Sequence, residues 1–321
     1  MRVNPSAAKI LNSSRLVHKI RAKKVLKLMQ DNYWNVDDVI FELISKGDPA
    51  LIGRFGGAEI KILSCLDDLT PTTIVDPFSY IYSSITLKRR LIQGRELSGF
   101  FPLNYESIKF FSQAYKESID NSDLLGCWGA IDTSFEYKAY KINKGRIIPF
   151  MATAPWVETY QLSQLSRQPW SMALSGKKVL VVSSFSESFK HQVSKFSSVF
   201  QNVRLPKIHF EFINSPMTQG GKLNSSWKQN LEIIQQKMED IDFDIALISA
   251  GTYAYPLANH AKKIGKIGIN CGGELQLYFG VIGARWENTN KVNRYFNSSW
   301  IRPGLSERPK NWKDIEQGCF W

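Results

Sequence analysis

Cysteine is scarce in this chain. There are four in 321 residues, Cys65, Cys127, Cys271 and Cys319. They lie far apart with no paired metal spacing, so buried or incidental thiols are expected. No apolar run reaches the length of a transmembrane helix. The opening MRVNPSAAKILNSSRLVHKIRAKK has no long apolar core and does not read as a secretory signal, so the cytoplasm is the expected location. GxGxxG and the Walker A pattern are absent, which removes support for dinucleotide and ATP sites. There is no helix-turn-helix, zinc-finger or RNA-binding signature, so nucleic acid is not an expected partner. Internal repeats and low-complexity tracts are absent too.

What is present is the composition of a soluble globular protein with a large core: 43% hydrophobic and 22% charged residues. The formal net charge is +12. A basic balance of this size points to phosphates on a small substrate, to the anionic cytoplasmic face of a membrane, or only to solubility.

The most informative stretch is Asp242 to Trp286. Ile245 to Ser249 is an apolar run ending at Ala250-Gly251, the pattern of a strand buried on both faces. A helix from Pro256 to Ile264 is predicted next, stopped by Gly265, then a strand from Lys266 to Asn270 and a turn at Cys271-Gly272-Gly273. This is a βαβ unit with a parallel strand pair. Ligands of such units sit beyond the carboxyl ends of the strands. That edge gathers Gly251, Thr252, Tyr253, Gly272 and Gly273, and two helix N-termini directed there would suit a phosphate. Glycines after strands are also ordinary turn residues, so this unit by itself fits many functions.

The strings GTYAYPLANHAKKIGK and GGELQLYFGVIGARW resemble the C-terminal signature of a family encoded with bacterial polysaccharide genes. That family is related to the GT-D-type glycosyltransferases, which use nucleotide sugars. The resemblance spans roughly residues 178–321, with a patch at 50–66. It implies a nucleotide-sugar donor, a glycan or lipid-linked acceptor, and Gln276 and Arg285 in the same pocket. Arg285 beside Trp286 equally reads as a structural stacked pair.

Upstream, Ala50 to Phe55 reads as a strand, Gly56-Gly57 as a turn and Ala58 to Leu66 as a helix. GT-D-type enzymes carry Arg-aromatic-Gly-Asp-x-Glu in this setting. Arg54, Phe55, Gly56 and Glu59 match, whereas Gly57 stands where the Asp would be. The resemblance makes Glu59 a candidate catalytic or metal-contacting carboxylate. An acid in a first helical turn is also favoured by the helix dipole. One carboxylate is a poor Mn²⁺ or Mg²⁺ site without further ligands, so either ion, or neither, is compatible with the motif. Arg54 suits a diphosphate through its planar fork, or a structural ion pair.

Further candidates follow in chain order. Lys88 to Arg90 fits phosphate or, alternatively, a solvated helix face, and Asn104 to Ile119 reads as a helix with Tyr105, Phe110, Phe111 and Tyr115 packed inward. Asp132 and Glu136, four apart after a strand at Leu124 to Gly129, are placed as a general base for an acceptor hydroxyl, metal ligands, or plain helix-start acids. Short elements are predicted at Arg146 to Pro149 (strand) and Thr153 to Ser166 (helix). Lys178 to Ser183 is a strand, and the turn at Ser183 and Ser184 before a helix is a ready phosphate cradle. In the resembled family that turn commonly reads Val-His-Pro-Phe, and here the serines replace His-Pro. Strand Ile208 to Phe212, polar loop Asn214 to Ser226 and helix Trp227 to Met238 complete the order. The aromatic tail after Trp286 is expected to fold back on the domain.

The fold class expected is α/β, a mostly parallel open sheet with helices on both faces, Rossmann-like and GT-D-like. Residues 1–48 are read as an N-terminal helical segment and 49–321 as the α/β domain, with a sub-boundary near 167–177. The basic periodic stretch Ser14 to Gln30 suits either an anionic membrane surface or packing on the domain.

Overall fold

The structure is a computed structural model. It describes residues 19–20, 23–24, 26–27, 36–69, 77–127, 133–143, 149–151, 170–199, 206–219, 225–287 and 292–321. Asp132, the strand start at Arg146, the helix expected from Thr153 to Ser166 and most of Ser14 to Gln30 lie outside them. Lys19, Ile20, Lys23, Lys24, Leu26 and Lys27 are helical and exposed.

Seven strands form one sheet: β1 (Ala50–Arg54), β2 (Leu124–Cys127), β3 (Pro149–Met151), β4 (Lys178–Ser183), β5 (His209–Asn214), β6 (Ile245–Ser249) and β7 (Ile267–Asn270). Their order is β3-β2-β1-β7-β6-β4-β5, and every pairing is parallel. The C-terminal strand β7 pairs with β1, in register Ala50 to Ile267, so the two halves of the chain share one sheet.

The apolar strands have no polar face because both faces are covered. Side chains alternate, so Leu180, Val182, Ala246 and Ile248 enter one core and Val179, Val181, Ile245 and Leu247 the other. The first core is closed by α2 (Gly57–Leu69), α4 (Tyr105–Asn121), α5 (Thr133–Ile142), α8 (Trp227–Glu239) and α9 (Ala254–Lys263). The second is closed by α1 (Val36–Lys46), α6 (Ser186–Val193), α7 (Phe196–Val199), α10 (Leu275–Tyr278) and the tail. The long α3 (Pro77–Ser98) lies against α2, and the short α11 (Ala284–Glu287) opens the tail.

Local chemistry sets several boundaries. Asn104 caps α4, its side chain accepting from the Ser107 N–H at 2.9 Å. Ser226 and Gln229 form a capping box on α8. Tyr105 does not pack inward as expected but is 73% exposed, because it starts α4 on the side away from Phe111 and Tyr115.

β4 leads outward to β5 through α6, while its neighbour β6 leads back to β7 through α9 on the opposite face. The connections therefore part between β4 and β6, and a crevice opens at the carboxyl ends of the strands.

Candidate functional site

A cavity of about 370 Å³ occupies that crevice. This lies within the ordinary range of small-ligand sites. Five strand ends contribute: Arg54 to Glu59 after β1, Ser184 after β4, Pro216 to Gln219 after β5, Ser249 to Gly251 after β6, and Asn270 to Gly273 around the end of β7. Charged lining residues are Arg54, Lys61 and Arg285 against Glu59 and Glu316.

Glu59 sits in the first turn of α2 and is 4% exposed. Burial pushes its carboxyl up to about 7; its own backbone N–H opposes this, the Glu316 carboxylate adds to it, and Arg54 opposes it again. The carboxylate folds over Gly56, where a Cβ would stand 2.1 Å from Oε2. Gly56 is therefore the residue that makes room for Glu59.

Arg54 ends β1 and pairs with the buried Glu274; its Nη1 also donates to the Cys271 carbonyl at 3.3 Å. The ion-pair reading of Arg54 is thus realised, on a residue that also lines the cavity. Gly272, at φ +59°, lets that guanidinium lie flat across it, since a Cβ would be 2.5 Å from Cζ. Gly273 does the same for Arg285, with a Cβ 2.9 Å from Nη1. Both glycines thus make room for arginines as well as turning the chain.

Arg285 stacks over Phe320 with Cζ 3.8 Å from the ring centre, and lies 5.7 Å from the Trp286 ring. Its Nη2 donates to Cys319 Sγ at 3.0 Å and pairs with Glu316 at 3.4 Å. Arg285 therefore lines the cavity, and its close ring partner is Phe320 rather than Trp286.

Several expected site residues turn out to be structural. Thr252 is fully buried; its hydroxyl donates to the Ser98 carbonyl and accepts from Trp227 Nε1 at 2.8 Å. Tyr253 stacks on Trp227 at 5.7 Å, in the core. A 3-10 turn, Gly251–Tyr253, bends both residues inward and leaves only Gly251 at the cavity. Ser183 is buried, with Oγ accepting from the Phe185 N–H at 3.1 Å, whereas Ser184 lines the cavity. Gln276 is buried and donates to the Phe320 carbonyl at 3.0 Å, so it braces the cavity wall from behind. Glu136 is fully buried in α5 beside Phe135 and is not brought to the cavity. Lys88 and Arg89 are exposed on α3 away from it.

The expected phosphate cradles also differ. The N–H groups of Glu187 and Ser188 that open α6 donate to Glu307 Oε1 at 2.9 and 3.1 Å. A tail carboxylate already satisfies that helix end. After β7 comes a 3-10 turn and then only the four-residue α10. The cationic side chains that line the cavity are Arg54, Lys61 and Arg285, and the helix that opens on it is α2, at Gly57 to Glu59.

The tail folds back as expected. Ile301 bridges Val281, and Trp300 Nε1 donates to the Val199 carbonyl at 3.1 Å. It also supplies Glu316, Phe320 and Trp321 to the cavity, which sequence reading missed. Glu316, Gln317 and Gly318 have φ of 47°, 58° and 74°, three successive left-handed residues. Such backbone persists where the surroundings hold it, here the Trp312 ring against Gly318 and the Arg285 N–H on the Cys319 carbonyl. Only Gly318 signals that turn in the sequence. The polar loop after β5 also lines the cavity, through Pro216 to Gln219.

Among the described residues no group of three or more His, Cys, Asp or Glu is placed to hold a metal ion. No curated protein and no solved structure matches the chain. The family model of the GT-D fold-like domain matches residues 35–277, the region that builds the sheet and most of the cavity. The chain belongs to the GT-D fold-like domain family.

Proposed function

We propose that the chain is a nucleotide-sugar-dependent glycosyltransferase that elongates a glycan or lipid-linked acceptor in surface-polysaccharide assembly. The observation that carries this reading is a buried Glu59 carboxyl, held near neutrality, in a cavity rimmed by Arg54, Lys61 and Arg285. The three cations suit the donor diphosphate. Phe320, fixed under Arg285, gives the cavity an aromatic wall. Glu59 accepts the proton of the acceptor hydroxyl as that oxygen bonds to the anomeric carbon and the nucleoside diphosphate leaves. A base of pKa near the working pH is well matched to this task.

Among the described residues, the side chains that line the cavity do not supply a carboxylate set for a resident divalent ion. Gly57 supplies no carboxylate, and the other lining acid, Glu316, is paired with Arg285. In this reading arginine and lysine offset the diphosphate charge in place of a metal, so donor use without added metal is expected.

Gly57 in the acidic motif also favours a second reading, a protein that binds the donor without turning it over. Release of nucleoside diphosphate from a panel of nucleotide sugars separates the two. The transferase reading expects release that survives EDTA and rises with pH through about 7 as Glu59 ionises. Binding with no release under any condition would leave the binding protein, and release only with Mn²⁺ would overturn the metal-free site.

A further inference from the structure

Helix α3 has two apolar sides. Its inner side is accounted for by α2: Ser83 Oγ donates to Asp68 Oδ2 at 2.8 Å, and Gly94 lets Ile62 approach so closely that a Cβ would stand 2.4 Å from Cδ1. The outer side of a helix packed in this way is normally polar. Here it carries Ile81, Ile85 and Ile92, which are 39%, 72% and 40% exposed, with Tyr80 52% exposed nearby. At about 100° per residue the three isoleucines fall within an arc of roughly 40°. Lys88 lies just beside that arc, about 20° beyond Ile81, and is exposed; Arg89 and Arg95 lie about 40° to either side of the arc. From Pro77 to Gly94 there is no Asp or Glu, and Glu96 beyond is paired with Arg95.

A narrow apolar stripe framed by basic residues is the pattern of a helix that lies in a lipid headgroup layer. We propose that the outer face of α3 docks the chain on an anionic lipid bilayer. Charge selects this occupant. A second copy meeting the same face about a twofold axis would set Lys88 and Arg89 against like charges, whereas anionic headgroups complement them. The same helix sends Gln93, Leu97 and Ser98 into the cavity. Docking would therefore hold the cavity within one helix length of the lipid, and, resting on the transferase reading, would select an acceptor anchored in that bilayer.

The test is flotation of the full chain with vesicles of phosphatidylcholine alone and with phosphatidylglycerol added. Wild type should float with the anionic vesicles only, and less so at high salt. Ile81→Ser/Ile85→Ser/Ile92→Ser should lower partitioning by roughly tenfold or more at unchanged melting temperature. Lys88→Glu/Arg89→Glu should lower it without touching the apolar stripe, which keeps the test valid if the triple variant fails to fold. Nucleoside diphosphate binding in vesicle-free buffer should be unchanged in both variants, so failure of docking and failure of the transferase reading are seen separately. Three results would overturn the proposal: no binding of wild type to anionic vesicles, equal binding by both variants, or a wild-type dimer in light scattering that the triple variant abolishes.

Discussion

Glu59→Gln should melt at a higher temperature than the wild type at pH 8 and should lose transfer. In the folded chain Glu59 keeps its proton up to about pH 7, against the ordinary 4.5 when unfolded. Between these values the folded state binds the extra proton, so the raised pKa supports folding below pH 4.5 and that support fades as pH rises through 7. Above 7 the wild type holds an ionised, buried carboxylate at a cost of about 3 kcal/mol. Glutamine keeps the shape and removes the charge. At pH 8 the variant should gain up to about 3 kcal/mol, or ~4 °C for a chain of this length, with the gain vanishing toward pH 4.5. Turnover should fall by about 10²–10⁴, the usual worth of a general base. Melting curves at several pH values, paired with the release assay, check both halves. A variant of equal or lower stability at pH 8 would show that the Glu59 carboxylate is well solvated or paired.

Gly268→Ala should be among the most damaging single changes outside the cavity. Gly268 lies in β7, where α9 crosses so closely that a Cβ would meet the Ala258 carbonyl oxygen at 2.0 Å and its carbon at 2.7 Å. These are backbone atoms, so no side-chain rotation relieves the clash. The helix must lift from the sheet, and its own Leu257 and Ala261, fully buried against it, lift with it. A loss of more than about 3 kcal/mol follows, a large share of the stability of a typical domain. Gly265→Ala is the control. It has φ +80° and no atom within 4 Å of the added Cβ, so only backbone strain of roughly 1–2 kcal/mol is expected. Urea unfolding of the two variants checks the contrast. Equal effects would mean that α9 is not seated on β7 as described.

The sheet was legible because parallel strands buried on both faces announce themselves as short apolar runs. Lys178 to Ser183, Ile245 to Ser249 and Ala50 to Phe55 all read as strands this way, and the last ends one residue earlier, at Arg54. The glycines of the cavity were legible as turns, but their roles were not. Gly56 and Gly272 are small because Glu59 and Arg54 lie over them, a contact across the fold that no local pattern encodes. Thr252 and Tyr253 were misassigned for the reverse reason. They follow a strand end, yet one 3-10 turn carries them into the Trp227 core. Glu316, Phe320 and Trp321 were invisible as site residues because only the return of the tail, held by Gln276 and Arg285, brings them to β1.

The central claim is that the cavity recognises a diphosphate through cationic side chains. Isothermal titration of the wild type and of Arg285→Ala with a nucleoside, its monophosphate and its diphosphate tests this most directly. The diphosphate should bind at least about tenfold more tightly than the monophosphate. Loss of Arg285 should weaken the diphosphate by roughly ten- to a hundredfold and narrow that gap, the worth of one charged hydrogen-bonding group. No nucleotide binding by the folded wild type, or a diphosphate affinity untouched by Arg285→Ala, would contradict it.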